Sequence, residues 1–175
     1  AAVGVSKLLQ RNEYKAVVNI KVVPAPRGPS DPSIYDPYFL LTEFETIRSH
    51  VVLSDVIVTL DLDELWGNKY NRGKRLSGSD TEEMIKRHLE MRSIRNTKLI
   101  EISVFDDDPA EAAKLANAIA RQYCEYKTGE FRRITLAAGK PGEPLKFEAP
   151  EVVDPAIPQM RPIGPNRYLG GAMLG

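Results

Sequence analysis

Arg92-Ser93-Ile94-Arg95-Asn96-Thr97-Lys98-Leu99-Ile100-Glu101-Ile102 and, just beyond it, Asp106-Asp107-Asp108-Pro109-Ala110-Glu111 decide the fold. From Leu99 to Phe105 the side chains alternate. Ile100, Ile102 and Val104 form one apolar face, and Leu99, Glu101, Ser103 and Phe105 form a mixed one, the pattern of a strand in a sheet that is wet on one side. Asp108 is an N-cap residue with Pro109 at the first helical position and Glu111 three residues after the cap, so a helix opens as soon as the strand stops. Ala112, Leu115, Ala116, Ile119, Tyr123 and Tyr126 then recur at spacings of three and four. Ala112, Ala113, Ala116, Asn117, Ala118 and Ala120 are small enough to let another surface approach this helix closely. That surface is either the protein's own sheet or a second copy of the chain.

Outward from this unit, Tyr14 to Val23 alternates Ala16, Val18, Ile20 and Val22 with Val17, Asn19, Lys21 and Val23, and reads as a strand. Residues 24–37 are dense in Pro, Gly, Ser and Asp and form a loop. Asp36-Pro37 offers an N-cap for a helix carrying Leu40, Phe44, Ile47 and Val51, and Ser49 caps a second set of turns with Leu53, Val56, Ile57 and Leu60. Residues 61–79 are polar and contain glycine, with Trp66 isolated among them. Asp80-Thr81-Glu82-Glu83 resembles a capping box and starts a short helix with Met84, Ile85, His88 and Leu89 on one side. Gly139 to Pro144 breaks the chain, and a last strand follows. The expected fold is α+β: a small mixed sheet, with strands near 14–23, 98–105 and 145–153, and helices packed on one face.

The chain is long enough for one domain with a single core. Its 24 basic and 24 acidic residues cancel, so no global field draws nucleic acid, and none is expected as a partner. No chemistry-bearing pattern emerges. His50 and His88 stand on different expected helices without companions at metal-ligand spacing. Asp106-Asp107-Asp108 lacks the alternating ligands and central glycine of a calcium loop, and a helix N-terminus accounts for it. Lys69, Arg72, Lys74 and Arg75, with Tyr70 among them, read as a solvated basic loop that would otherwise suit an anionic glycan or headgroup. The glycines at 67, 73 and 78 match no phosphate-binding spacing. Cys124, the lone cysteine, reads as a small buried thiol. No catalytic residue, metal site or cofactor site is expected, and the chain is not expected to be an enzyme.

Taken in order, several segments resemble the periplasmic domain of Wzz-type polysaccharide co-polymerases, the chain-length determinant family. They are Tyr14-Lys15-Ala16 entering a strand that ends at Pro24, Thr42 to Ser49, Val52-Leu53, Val56-Ile57, Leu60-Asp61-Leu62 and Trp66-Gly67. Arg95-Asn96-Thr97, Asp108-Pro109 with the alanine-rich helix, and Pro158, Arg161, Pro162, Pro165 and Asn166 complete the set. The resemblance implies a membrane-proximal N-terminal stub at 1–9, a periplasmic α/β domain at 10–157 and a Pro-rich tail at 158–175. The tail, with Pro158, Pro162, Pro165 and Asn166 close to the membrane, would lead to a second membrane segment. The apolar stretches Ala1-Ala2-Val3-Gly4-Val5 and 169–175 would be the edges of two transmembrane helices that flank the sequence. One departure is plain. Family members extend the helix after Asp-Pro into a long hairpin, whereas the residues between Arg132 and Pro144 are too few for one at about 1.5 Å per residue.

The function implied is a non-catalytic, homo-oligomeric scaffold of the bacterial inner membrane, facing the periplasm. Its partners would be a polysaccharide polymerase or export machinery, and it would regulate chain length or export of a surface polysaccharide or exopolysaccharide. Glu43, Arg48, Arg95, Asn96 and Asn117 are the candidate interface residues. Each has a local alternative: Arg48 pairing with Glu45 along the helix, Asn117 facing solvent. Two further readings stay open. One is the periplasmic part of an export protein coupled to a tyrosine autokinase, and the other is a soluble α+β ligand-binding or regulatory domain with no membrane link.

Overall fold

The computed structural model of the protein describes residues 12–26, 38–139 and 147–165. Strand β1 (Asn12–Lys21) is followed by four short helices, α1 (Phe39–Ile47), α2 (His50–Leu60), α3 (Leu62–Tyr70) and α4 (Gly78–Arg87). A hairpin, β2 (Leu89–Ser93) and β3 (Leu99–Asp106), leads into the long helix α5 (Pro109–Ala138), and β4 (Glu151–Asp154) and β5 (Gly164–Pro165) close the described chain. The sheet order is β2-β3-β1-β4, with β5 also on β1.

The fold is α+β, as the alternation and capping patterns require. The sheet, however, is antiparallel at every described pairing rather than mixed. A tight turn can join β2 to β3 only in antiparallel fashion. β1 meets β3 from Tyr14↔Asp106 to Lys21↔Leu99, which brings Ala16, Val18 and Ile20 opposite Val104, Ile102 and Ile100. All six are fully buried. The last expected strand shrinks to four residues: residues 145–146 lie outside the described residues, and Pro150, which has no N–H to give a ladder, precedes β4.

Three further expectations need correction. Trp66 is not isolated and Lys69 is not in a loop; both lie on α3, whose buried side holds Leu62, Trp66 and Gly67. A Cβ at Gly67 would stand 2.4 Å from the Lys74 carbonyl oxygen, so only glycine lets the 74–75 backbone cross there. Secondly, α4 starts at Ser77, not Asp80. Ser77 Oγ accepts from the Asp80 backbone N–H at 3.2 Å and donates to the Asp80 carboxylate at 2.6 Å, so Asp80 is the last residue of the capping motif rather than its first. Thirdly, Leu89 begins a strand rather than ending a helix, because β3 supplies β2 with a partner. The expected cap Asp36-Pro37 lies outside the described residues; α1 begins after Tyr38 without a side-chain cap.

Asp108 caps α5 as expected, its Oδ1 accepting from Ala110 N at 2.8 Å and Glu111 N at 3.2 Å. The helix runs 30 residues, about 45 Å at the usual rise. Ala112, Ala113, Ala116 and Ala120 are buried with Leu115, Ile119 and Tyr123 in one cluster with the inner side chains of β1 and β3. The small face of α5 therefore serves its own sheet, which decides between the two readings of those alanines. Replacing Ala116, which has no exposed surface, by Leu is expected to cost about 1–3 kcal/mol by overpacking. Urea denaturation will show it as a lower midpoint at unchanged slope.

Candidate functional site

The five candidate interface residues divide when placed in the fold. Arg95 and Asn96 are exposed at the β2–β3 turn. Asn96 adopts φ 60°, a left-handed conformation that asparagine tolerates better than most residues. Thr97 locks the turn, its hydroxyl donating to Ile94 O at 2.7 Å and accepting from Leu99 N at 3.1 Å. Turn chemistry thus accounts for Asn96 and Thr97, while Arg95 is left to solvent.

The other three point inward. Arg48 is half-buried and its Nη2 donates to the Leu89 carbonyl at 3.4 Å, tying the end of α1 to the start of β2. Asn117 bonds both backbone groups of Ala156, donating to its carbonyl and accepting from its N–H, each at 2.8 Å. The solvent-facing alternative for Asn117 is thereby corrected: a side-chain amide, which carries donor and acceptor together, clamps the tail to α5.

Glu43 is the most deeply placed, at 3% exposure. Tyr123 donates its hydroxyl to one carboxylate oxygen, and Lys127 Nζ lies 3.4 Å from the other. Lys127 also reaches Glu130 at 3.1 Å and stands 5.1 Å from the centre of the Phe131 ring. Burial, reinforced by the Glu43 charge, pushes the Tyr123 phenol far above its ordinary value. A buried carboxylate is tolerated only when its lone pairs are filled. Here α5 supplies both partners, and the cluster fixes α1 against it. Nothing of Glu43 is left to offer a second chain, so as an interface residue it is withdrawn.

A second polar cluster closes the other end of the sheet. Lys69, expected in a solvated loop, lies on α3 and binds Asp106 at 2.8 Å and also Asp107. Asp106 Oδ1 accepts as well from the Asp108 N–H at 3.0 Å. The acidic triplet thus divides into an internal ion pair and a helix cap. Burial raises the pKa of Tyr70 to about 12 and lowers that of His88, whose Nδ1 lies 2.7 Å from the Phe105 carbonyl and so must carry its proton. The His88 ring centre is 5.5 Å from that of Trp66. Of the remaining basic residues expected in the loop, Arg75 leans on Asp61 and Asp63, at 3.4 and 3.7 Å.

On the outer flank of α5 a shallow groove of about 390 Å³ is lined by Arg121, Cys124, Glu125, Thr128, Gly129, Arg132 and Val152. Burial pushes the Cys124 thiol up to about 12, so it stays protonated at neutral pH and offers no thiolate. Among the described residues no group of His, Cys, Asp and Glu side chains converges as metal ligands do.

Removing the Tyr123 hydroxyl leaves a buried carboxylate short of a donor. Tyr123→Phe is therefore expected to cost about 1–3 kcal/mol. The combined replacement Glu43→Leu, Tyr123→Phe and Lys127→Met should recover most of that loss in the same urea titration. His88 supplies a pH test. Its folded pKa lies below the ordinary 6.5, so between the two values the unfolded chain binds more protons and stability falls as pH drops. His88→Asn keeps a donor for the Phe105 carbonyl and should flatten the thermal-stability profile just below about 6.5. A slope unchanged by the substitution would show that His88 is not its source.

Compared with known proteins, the chain matches no family model and no curated protein.

Proposed function

We propose that this domain is the periplasmic part of a non-catalytic, membrane-anchored scaffold of the bacterial inner membrane. It associates with copies of itself and regulates the chain length or export of a surface polysaccharide or exopolysaccharide, working with a polymerase or export complex. The ordered set of motifs resembling Wzz-type co-polymerases supports this reading. One structural observation carries it further: Asn12 pairs with Pro165 and Glu13 with Gly164. The chain thus enters and leaves the domain side by side, as a domain held by two neighbouring membrane segments needs. Arg95, exposed at the hairpin tip, remains as a contact for another protomer. Among the described residues no helix is long and apolar enough to cross a membrane, so the anchoring segments belong outside them.

The test is the length distribution of the polysaccharide on a sizing gel, in the source bacterium with the full-length gene deleted and then restored. The modal distribution should collapse on deletion, return with the wild-type gene and return less sharply with Arg95→Glu. An unchanged distribution with unchanged total polymer would overturn the proposal.

A further inference from the structure

Among the described residues three that are not glycine adopt a positive φ: Asp61 at 49°, Arg72 at 53° and Asn96 at 60°. Asp and Asn tolerate this left-handed conformation, because their short side chains bond locally, whereas Arg does not favour it. The backbone around Arg72 nevertheless holds it there. Asn71 N and Gly73 N both donate to Gly67 O, at 3.0 and 3.1 Å, and Lys74 N donates to Asn71 O at 3.0 Å. Asn71 Nδ2 returns a bond to Lys74 O at 3.0 Å, and Gly67 lets the returning chain cross α3 at 74–75. The turn between α3 and α4 is thus fixed in a shape that is unfavourable at Arg72. Strain of this kind points to a use for the side chain.

Charge indicates which use. From Leu65 to Ser79 the chain holds Lys69, Arg72, Lys74 and Arg75 and no Asp or Glu. Lys69 is taken by Asp106 and Asp107, and Arg75 by Asp61 and Asp63. The side chains of Arg72 and Lys74 are exposed and have no ion-pair partner among the described residues. The same holds for Arg87, at the end of α4. It adjoins His88, whose carbonyl accepts from Phe105 N at 3.0 Å. All three cations stand at one end of the sheet: Lys69, shortly before Arg72, reaches Asp106, and Asp106 pairs with Tyr14, beside the Asn12–Glu13 stretch that pairs with β5. An Arg can grip two phosphate oxygens at once and a Lys adds a point charge, so cations on a pre-shaped turn suit a phosphate group. The end at which β1 begins and β5 closes is the one that the proposed function sets against a bilayer, and the phosphate nearest to it there is that of a lipid headgroup.

We infer that Arg72, Lys74 and Arg87 form a docking site for the phosphate headgroups of an anionic phospholipid surface. The choice of a lipid rests on the membrane placement in the proposed function, but vesicle binding needs no polysaccharide role, so either can fail alone. The experiment is co-sedimentation of the full chain with vesicles of phosphatidylcholine, alone or mixed with phosphatidylglycerol. Wild-type protein should bind the mixed vesicles and not the neutral ones, and raised salt should weaken that binding. Arg72→Asn should bind about fivefold less tightly and melt no lower than wild type, because Asn suits the left-handed turn. A merely structural role for Arg72 would move stability and leave binding alone. Arg72→Asn/Lys74→Gln should lose about tenfold or more. Arg133→Gln, which removes the same charge from the exposed far part of α5, should bind like wild type. Wild-type protein that ignores the mixed vesicles, or binds a soluble anionic polysaccharide in their place, would overturn the inference. So would an Arg72→Asn/Lys74→Gln variant that binds vesicles like wild type, or an equal loss in Arg133→Gln, which would make net charge the cause. Inorganic phosphate that binds the protein at micromolar concentration would make a soluble phosphate the ligand and overturn the lipid assignment.

Discussion

The close approach of α5 to the β1–β3 face is the constraint on which the rest depends. Ala112, Ala116 and Ala120 have almost no exposed surface, and at each a larger side chain would lift the helix from the sheet. With the backbone held down, Leu115, Ile119 and Tyr123 reach the inner residues of the sheet and the helices beyond it. α2 packs on α5 in turn, joined also by Gln122 donating to Asp55 at 2.7 Å. Overpacking is costly because interiors are filled like crystals. A stripe of alanine on a helix of this length is therefore a packing specification before it is anything else.

The buried ionic clusters complete what apolar packing leaves loose. Hydrophobic contact is non-directional and does not by itself fix how short helices are turned. α1 and α3 each span nine residues, too short to be stable alone. Each carries one charge that meets its partners in this placement, the buried Glu43 on α1 and the half-buried Lys69 on α3. The partners lie on the most constrained elements, α5 and the end of β3. Satisfied pairs of this kind add modestly to stability. Their larger effect is that a misplaced helix would strand a charge.

Much of this was legible in the sequence because it is local. The strand at 99–105 and the Asp108-Pro109 cap depend on neighbours along the chain, and both appear where their patterns place them; the face expected to be wet does not, since Glu101, Ser103 and Phe105 are buried as well. α3 was not legible: its apolar positions are few, and its one large buried residue, Trp66, finds its neighbours on other elements, His88 among them. β2 was not legible either, since Leu89 to Ser93 becomes a strand only beside β3. The candidate residues show the same division. Glu43 and Asn117, the latter among small neighbours, were expected at an interface with another copy, and both instead make polar contacts inside the domain. Whether the partner is internal or external depends on residues 39 to 84 positions away, and spacing does not encode that.

The position of β1 links this packing to the outside of the domain. β1 is bonded to β3 along one edge and to β4 and β5 along the other, so the strand that brings the chain in is also the centre of the sheet. The departing segment is tied to the same strand through Glu13 and to α5 through Asn117. Entry and exit are therefore both bonded to the core and to each other. The same sheet carries the exposed hairpin tip, Arg95-Asn96. The relation of that tip to the β1–β5 edge is set by the packing of the sheet on α5. The alanines of α5 and the amide of Asn117 are the residues that protect it.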